Sequence, residues 1–456
     1  MLLKFHNIRY AASTIFRRSL SIPSQIPSKA LVNLGDASKF IKIYGEDAAL
    51  FINGLTTAKL IPKHLKKNQT TISEADVNNE NIINSVAITE DDTKNSNWGI
   101  LHEAEEYDPS DPDELPMRIG VRRDGRFGHM LKANGRVLTD VFIYPTPFML
   151  DKPESTPSYL IEVLNTSQFK PLQMMLKLHK LKSKVQFEEV NLKTWFYYND
   201  TTEGHHLYDL LLDSYFANGN SKSPKDACEL VKSFLASNIL LDTSTLDPNV
   251  LMGFAIDQRV DYFGLRIVAP ESWTPSLVEN MQCDVLPYET YLSRRIEMGV
   301  TEVSDFQKIP ALPFECNLDW MRGINYDKGC YMGQELTIRT WSGNGTARRV
   351  LPVIFDQPIA SSDSFDQMEL KPIKTETPEE PQTENPVYNP FGASSVPIRS
   401  RRKSDKVGEV FLNNGHKGLA RVEKKYFDWD NETTKRVEIS YNGKSYTGTI
   451  STSVWN

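Results

Sequence analysis

Cysteine is scarce in this 456-residue chain, with four copies at Cys228, Cys283, Cys316 and Cys330. None are spaced as a zinc ribbon or a thioredoxin-type pair would need. No self-contained set of converging thiolates can be read from them, so no stable metal is expected on the isolated chain. Whether Cys316 and Cys330 approach each other is left open by spacing alone. Gly-rich phosphate loops of either familiar spacing are missing. The segment Gly125-Arg126-Phe127-Gly128 is too short for one and reads as a turn. No Gly-x-Ser-x-Gly nucleophile elbow occurs. His205-His206 lack partners at metal-ligand spacing and read as surface or satisfied histidines. No apolar run is long enough for a membrane span or a secretory signal.

Acids are missing from residues 1–35, which carry Lys4, Arg9, Arg17, Arg18 and Lys29. Serines and the apolar residues Leu2, Leu3, Phe5, Ile8, Ile15, Phe16 and Leu20 are interspersed. This composition is that of a mitochondrial targeting segment, with Arg17-Arg18-Ser19-Leu20-Ser21 as a processing region. A solvated basic tail is the bland alternative. The segment takes five of the 52 basic residues and none of the 59 acids, so the remainder is more acidic than the overall net charge of −7. An acidic body argues against a nucleic-acid binder.

The length implies two or three domains. Residues 73–116 are crowded with acids, among them Glu90-Asp91-Asp92, Glu105-Glu106 and Asp113-Glu114, with Lys94 the only base. Such a stretch repels itself and buries little, so it reads as a solvated insertion. A partner-binding or iron-attracting patch is the alternative. Residues 356–406 are rich in proline and acids before the basic run Arg399-Ser400-Arg401-Arg402-Lys403, and they read as a disordered loop. Strand-like sequence on both sides, at 350–355 and 408–412, places that loop inside a C-terminal domain.

Elsewhere, alternation predicts strands over 39–44, 136–144, 159–165, 185–190 and 194–198. Helical spacing covers 47–59, 167–181 and 288–297. Residues 257–267 enter a strand. Short strands over 418–424, 436–441 and 446–451, with Asn442-Gly443 as a hairpin turn, fill the tail. The pattern is that of an α+β protein.

The most informative stretch is Lys328-Gly329-Cys330-Tyr331-Met332-Gly333-Gln334-Glu335. One cysteine lies between two glycines, after a lysine, and residues 334–340 could begin a helix. A helix N-terminus and a nearby ammonium both favour a thiolate. Gly329 and Gly333 allow backbone angles or close approaches that a side chain blocks. These features suggest a thiol presented on a shaped loop. They also suit a small residue buried in a tight turn.

This octapeptide resembles the signature of the YgfZ-type proteins, relatives of the glycine-cleavage T-protein, a folate-dependent aminomethyltransferase. Further pieces resemble the family in order. They are Gly45-Glu46-Asp47-Ala48-Ala49 with Phe51, Gly54, Leu55 and Thr57; Asn134-Gly135-Arg136-Val137-Leu138-Thr139-Asp140-Val141; and Pro313-Phe314-Glu315-Cys316-Asn317-Leu318 with Met321-Arg322-Gly323. Leu336-Thr337-Ile338-Arg339-Thr340, Gly408-Glu409-Val410 and Gly418-Leu419-Ala420-Arg421-Val422 complete the set. The resemblance implies a GcvT/YgfZ-like fold: interleaved α+β domains around a central opening plus a C-terminal β-barrel. It places a first domain over 36–195, a second over 196–345 with the octapeptide, and the barrel over 346–456.

With a mitochondrial matrix address, the resemblance implies a factor in iron–sulfur cluster assembly. It would serve maturation of four-iron–four-sulfur proteins, aconitase-type and radical S-adenosylmethionine enzymes. Its partners would be A-type iron–sulfur scaffold proteins and the recipient proteins, and tetrahydrofolate is an implied ligand. Cys330 is the leading functional residue, as a transient cluster ligand, a nucleophile or a redox handle. Lys328 would tune it or hold an anion. Gly329, Tyr331, Gly333, Gln334 and Glu335 would shape the loop or line a folate cavity, although an acid in a first helical turn such as Glu335 is favourable anyway. Arg339, Arg348 and Arg349 would attract the acidic folate tail. Asp140 stands where the transferase carries its acidic pair, yet only one acid is present, and the transferase's Gly-Glu-x-Gly-Tyr folate contact is missing. Two other readings therefore stay beside the first: a folate-dependent aminomethyl or one-carbon transferase, and a non-enzymatic interaction protein.

Overall fold

The computed structural model describes residues 26–61, 90–103, 119–152, 155–216, 221, 223–244, 246–307, 309–326, 328–343, 345–360, 364–373, 406–426, 433–452 and 455. Two five-stranded sheets form its body. The first has the order β10-β11-β9-β1-β12, built from β1 (Lys29–Asn33), β9 (Leu192–Asn199), β10 (Gly253–Asp257), β11 (Gly264–Pro270) and β12 (Val285–Leu286). The second has the order β5-β6-β7-β2-β8, from β2 (Lys39–Tyr44), β5 (Arg126–Leu131), β6 (Val137–Pro145), β7 (Ser158–Val163) and β8 (Gln186–Val190). The chain thus lays its first strand in one sheet and its second in the other.

All nine residues of β6 are buried, and alternation sorts them. Val141 and Ile143 face a core with helix α1 (Ala48–Asn53), while Phe142 and Tyr144 face Phe196, Tyr198 and Ala255 of the other sheet. The two sheets therefore pack face to face. Helix α2 (Glu90–Asn95) lies against α1, α3 (Phe169–Lys180) packs on the second sheet, and α4 (Thr202–Leu210) and α5 (Pro224–Ala236) cover the outer face of the first. Helix α6 (Tyr288–Glu297) and the motif helix α7 (Gln334–Ser342) precede a closed barrel of order β13-β16-β15-β14-β17-β18. Its strands are β13 (Arg348–Phe355), β14 (Met368–Pro372), β15 (Gly408–Asn413), β16 (Lys417–Glu423), β17 (Thr434–Tyr441) and β18 (Lys444–Ser451). Asn442 and Gly443 both take positive φ, 49° and 74°, as a two-residue hairpin turn demands.

Several expectations change. The acid-free stretch 1–35 runs into β1, whose Ala30, Leu31 and Val32 are buried, so its last residues are part of the fold. Residues 1–25, with the proposed processing region, lie outside the described residues. The expected boundary at 195 falls inside β9. Helix α1 stops at Asn53 rather than 59, because Thr56 leaves it to bridge Met130 of β5. Residues 126–128 are not a turn but the start of β5. The acidic insertion is partly folded: Trp98, Ile100 and Leu101 join the core, and β3 (Ile100–Glu103) pairs with β4 (Ile119–Arg122). Likewise, the stretch expected as a disordered loop supplies β14, with Met368 and Leu370 pointing into the barrel. The run Arg399-Ser400-Arg401-Arg402-Lys403 lies outside the described residues.

Candidate functional site

The octapeptide is fastened at three points. Lys328 Nζ donates to the carbonyls of Asn53 at 2.7 Å, Ala58 at 2.9 Å, and Thr56. Carbonyls without helical partners gather at such a helix end. Burial, then Arg126 and Lys59, push this ammonium well below its ordinary value, while three acceptors complement all three N–H groups of the charged form. Lys328 Nζ is therefore engaged with the backbone rather than solvated. The amide of Met332 donates to the carbonyl of Gly54 at 3.1 Å, which adds the second tie.

The third tie is steric. Gly333, at φ +80°, is the residue before α7, and a Cβ there would lie 2.5 Å from the Lys132 carbonyl oxygen. Gly135 (φ +77°) sits opposite it in the β5–β6 turn. Tyr331 packs against Leu131 and Val137, and its amide donates to Gln334 Oε1 at 3.0 Å. Gly329 is half-buried, and Cys330, between the ties, is exposed. Glu335 and Arg339 are both exposed and pair with each other along α7. Arg349 grips Asp319 at 2.6 and 2.7 Å and the Phe314 carbonyl at 3.0 Å, so its donors are already engaged rather than open to a folate tail. Arg348 is exposed, 3.6 Å from Glu315.

Thr57 joins the other motif pieces. Its hydroxyl donates to the Gly323 carbonyl at 2.7 Å and accepts from the His129 amide at 2.8 Å. Motifs separated by more than 200 residues thus meet at one place because they hydrogen-bond there.

Asp140 lies below, on β6, as the register partner of His129 on β5. Cross-strand partners put both side chains on one face. Asp140 Oδ2 accepts from the Val303 amide at 3.0 Å, whereas Asp140 Oδ1 and His129 Nδ1 are buried without partners. Burial, then the Glu302 charge, raise Asp140 to about 7. Burial, then Arg259, lower His129 to about 3. Ion pairs cross the interior around them: Arg259 with Asp257 at 2.8 Å, Arg295 with Asp305 at 2.8 Å, and Arg266 with Glu162 at 2.7 Å. The last joins the two sheets. Cys316 is buried, and burial, then Asp140, push its thiol well above the ordinary value, which keeps it a protonated packing group. Among the described residues no group of three or more His, Cys, Asp or Glu side chains is placed to hold a metal ion.

The arrangement therefore offers two chemistries. One is a solvent-facing thiol on a pinned loop; the other is a buried carboxyl beside a neutral imidazole. His129 was missed from sequence. Its only signal was its position after the Gly125–Gly128 segment, where it continues the strand.

No protein-family model matches the chain. It is 33% identical over 414 residues to the mitochondrial iron–sulfur cluster assembly factor IBA57 homolog of Meyerozyma guilliermondii, covering 83% of this chain and 88% of the relative. The Candida albicans homolog of the same name is 36% identical over 353 residues, covering 72% and 71%. The chain belongs to the IBA57 family. The Saccharomyces cerevisiae IBA57, also named as a mitochondrial iron–sulfur cluster assembly factor, is 28% identical over 422 residues, covering 85% of this chain and 80% of its own. Among solved structures, the glycine cleavage system aminomethyltransferase T of Bartonella henselae aligns with a TM-score of 0.50 at 11% identity, covering 94% of this chain and 86% of that one. The IBA57-family chain thus has the mixed α+β GcvT-like fold with a closed six-stranded C-terminal barrel.

Proposed function

We propose that this protein works in the mitochondrial matrix in maturation of four-iron–four-sulfur proteins, with Cys330 as its working thiol. The observation that carries this reading is an exposed thiol on a loop tied to α1 by Lys328 and Met332 and to the β5–β6 turn by Gly333. A pre-positioned thiol can lend one ligand to a cluster that passes between proteins, and the remaining ligands would come from a partner. That fits A-type scaffold proteins as partners and aconitase-type and radical S-adenosylmethionine enzymes as recipients. The division into domains over 36–195, 196–345 and 346–456 is part of the proposal, with β1 ahead of 36 paired to β9.

The test uses cells lacking the protein, rescued with wild type or Cys330→Ser at matched levels. Aconitase is compared with a mitochondrial two-iron enzyme. Aconitase lost without the protein, restored by wild type and not by the serine variant, is the expected result. Normal aconitase in unrescued cells would end the assembly reading, and rescue by the serine variant would end the role of the thiol.

Tetrahydrofolate binding is the second reading, and Asp140 favours it. Asp140 Oδ1 and His129 Nδ1 are buried without partners, and polar groups of a ligand that reached them would satisfy both. Bound folate would supply a one-carbon carrier; the chain's own part is to orient it and to hold a proton on the Asp140 carboxyl. Titration calorimetry with tetrahydrofolate on wild type and Asp140→Asn checks it. Equal heats from both proteins would remove Asp140 from the site. Turnover of methylene-carrying folate by the purified protein would revive the transferase reading.

A further inference from the structure

Helix α3 has two apolar faces. Phe169, Leu172 and Leu176 are buried against the second sheet. On the other side Met174, Leu178 and Leu181 are 60%, 67% and 86% exposed. Met174 and Leu178 are four residues apart and share one face, and Leu181 follows directly after the helix end. Single exposed leucines are ordinary, whereas these three together leave an apolar patch at one end of the helix. The last of the three sits at φ 43° and ψ −115°, a region that costs a leucine strain.

The helix and the turn after it carry charge of one sign. Residues 169–184 hold Lys170, Lys177, Lys180, Lys182, Lys184 and His179, with no acid, in a chain whose net charge is −7. Lys184 is paired with Glu46 at 2.6 Å, and Lys180 lies over the Phe187 ring at 5.9 Å. Other acids nearby are Asp47, which accepts from the Lys184 amide at 2.7 Å, and Glu188 and Glu189 on β8, where Glu189 accepts from Gln173 at 3.1 Å. Lys170, Lys177 and Lys182 are exposed beside the patch.

We propose that this face of α3 docks on an anionic lipid surface. Met174, Leu178 and Leu181 would enter the headgroup–acyl boundary while the lysines reach back to the phosphates, an arrangement long lysine stems favour. Exposed lysines flank the apolar residues on the same segment, which suits an anionic bilayer surface. No described helix is long and apolar enough to cross a membrane, so the contact is peripheral.

Co-sedimentation of the full chain with vesicles tests this. One set carries phosphatidylglycerol in phosphatidylcholine and the other phosphatidylcholine alone, at low salt and about 0.5 M salt. The variants are Leu178→Ser with Leu181→Ser, and Lys177→Gln with Lys182→Gln, each checked for an unchanged melting temperature. Wild type should bind the anionic vesicles, release with salt, and outbind each double variant by roughly tenfold or more. A wild type that stays off the vesicles overturns the proposal. So do variants that bind as wild type does, because the basic N-terminal residues common to all three would then carry the attachment. Undiminished vesicle binding with loss of a crosslinked acidic protein would also overturn it and assign the face to that protein.

Discussion

Gly135 and Gly333 touch through their backbones. A Cβ on Gly333 would stand 3.3 Å from the Gly135 Cα, and one on Gly135 would stand 3.1 Å from the Gly333 carbonyl oxygen. These two residues, from separate motifs, set the height of the Cys330 loop above the β5–β6 turn. Each also holds a positive φ that L side chains resist, at a cost of about 1–2 kcal/mol.

Gly333→Ala is therefore expected to lower stability by at least about 2 kcal/mol, since backbone strain adds to a 2.5 Å contact with the Lys132 carbonyl. Urea unfolding measures the loss. Faster hydrogen exchange at Tyr331 and Met332 locates it in the loop. An unchanged midpoint would mean the turn yields freely, and the glycines would not be a fastening.

Replacing Lys328 strips three carbonyls of their donor. Lys328→Met should cost about 2–4 kcal/mol, because buried acceptors lose partners that water cannot replace. Lys328→Arg should not restore it, as a planar fork cannot address three converging oxygens. Denaturant midpoints for the two variants decide the matter, and a fully stable arginine variant contradicts the tripod.

Asp140 and His129 are expected to pull the pH dependence in opposite directions. Folded Asp140 keeps its proton to about 7 against 3.8 for the ordinary group, so its penalty grows as pH rises through that window. Folded His129 releases its proton down to about 3 against 6.5, so its penalty grows as pH falls through that window. Relative to wild type, Asp140→Asn should gain stability with rising pH up to neutrality. His129→Gln should gain it with falling pH. Unfolding curves at several pH values read both, and parallel profiles for all three proteins would refute the assignment.

Trp98 tests the acidic insertion. It is fully buried with Ile100 and Leu101, so Trp98→Ala should cost about 3–5 kcal/mol, the range for a large core deletion. A loss near zero on thermal or urea unfolding would return this stretch to the solvated loop its composition suggests.

Periodicity was enough where one element could be read by itself. Helix α6 and strand β2 fall on the expected residues because their apolar spacing is regular. Helices α4 and α5 were not anticipated, although Thr201 caps one and Ser223 with Pro224 opens the other. Trp98 and the Met368–Leu370 pair were hidden because acids around them dominated the composition. What buries them is contributed by distant strands.

The candidate site divides the same way. By itself the sequence determined the glycines around Cys330, the order of the motif pieces, the α+β class and the barrel hairpin, since each depends on neighbours a few residues apart. Tertiary structure alone decided that Lys328 Nζ donates to carbonyls at and beyond the end of α1, and that Cys330 is exposed while Cys316 is sealed. It also decided that Asp140 faces His129. These depend on which strands lie beside one another and on how far each side chain is removed from water, and both are fixed by contacts between residues far apart in the chain.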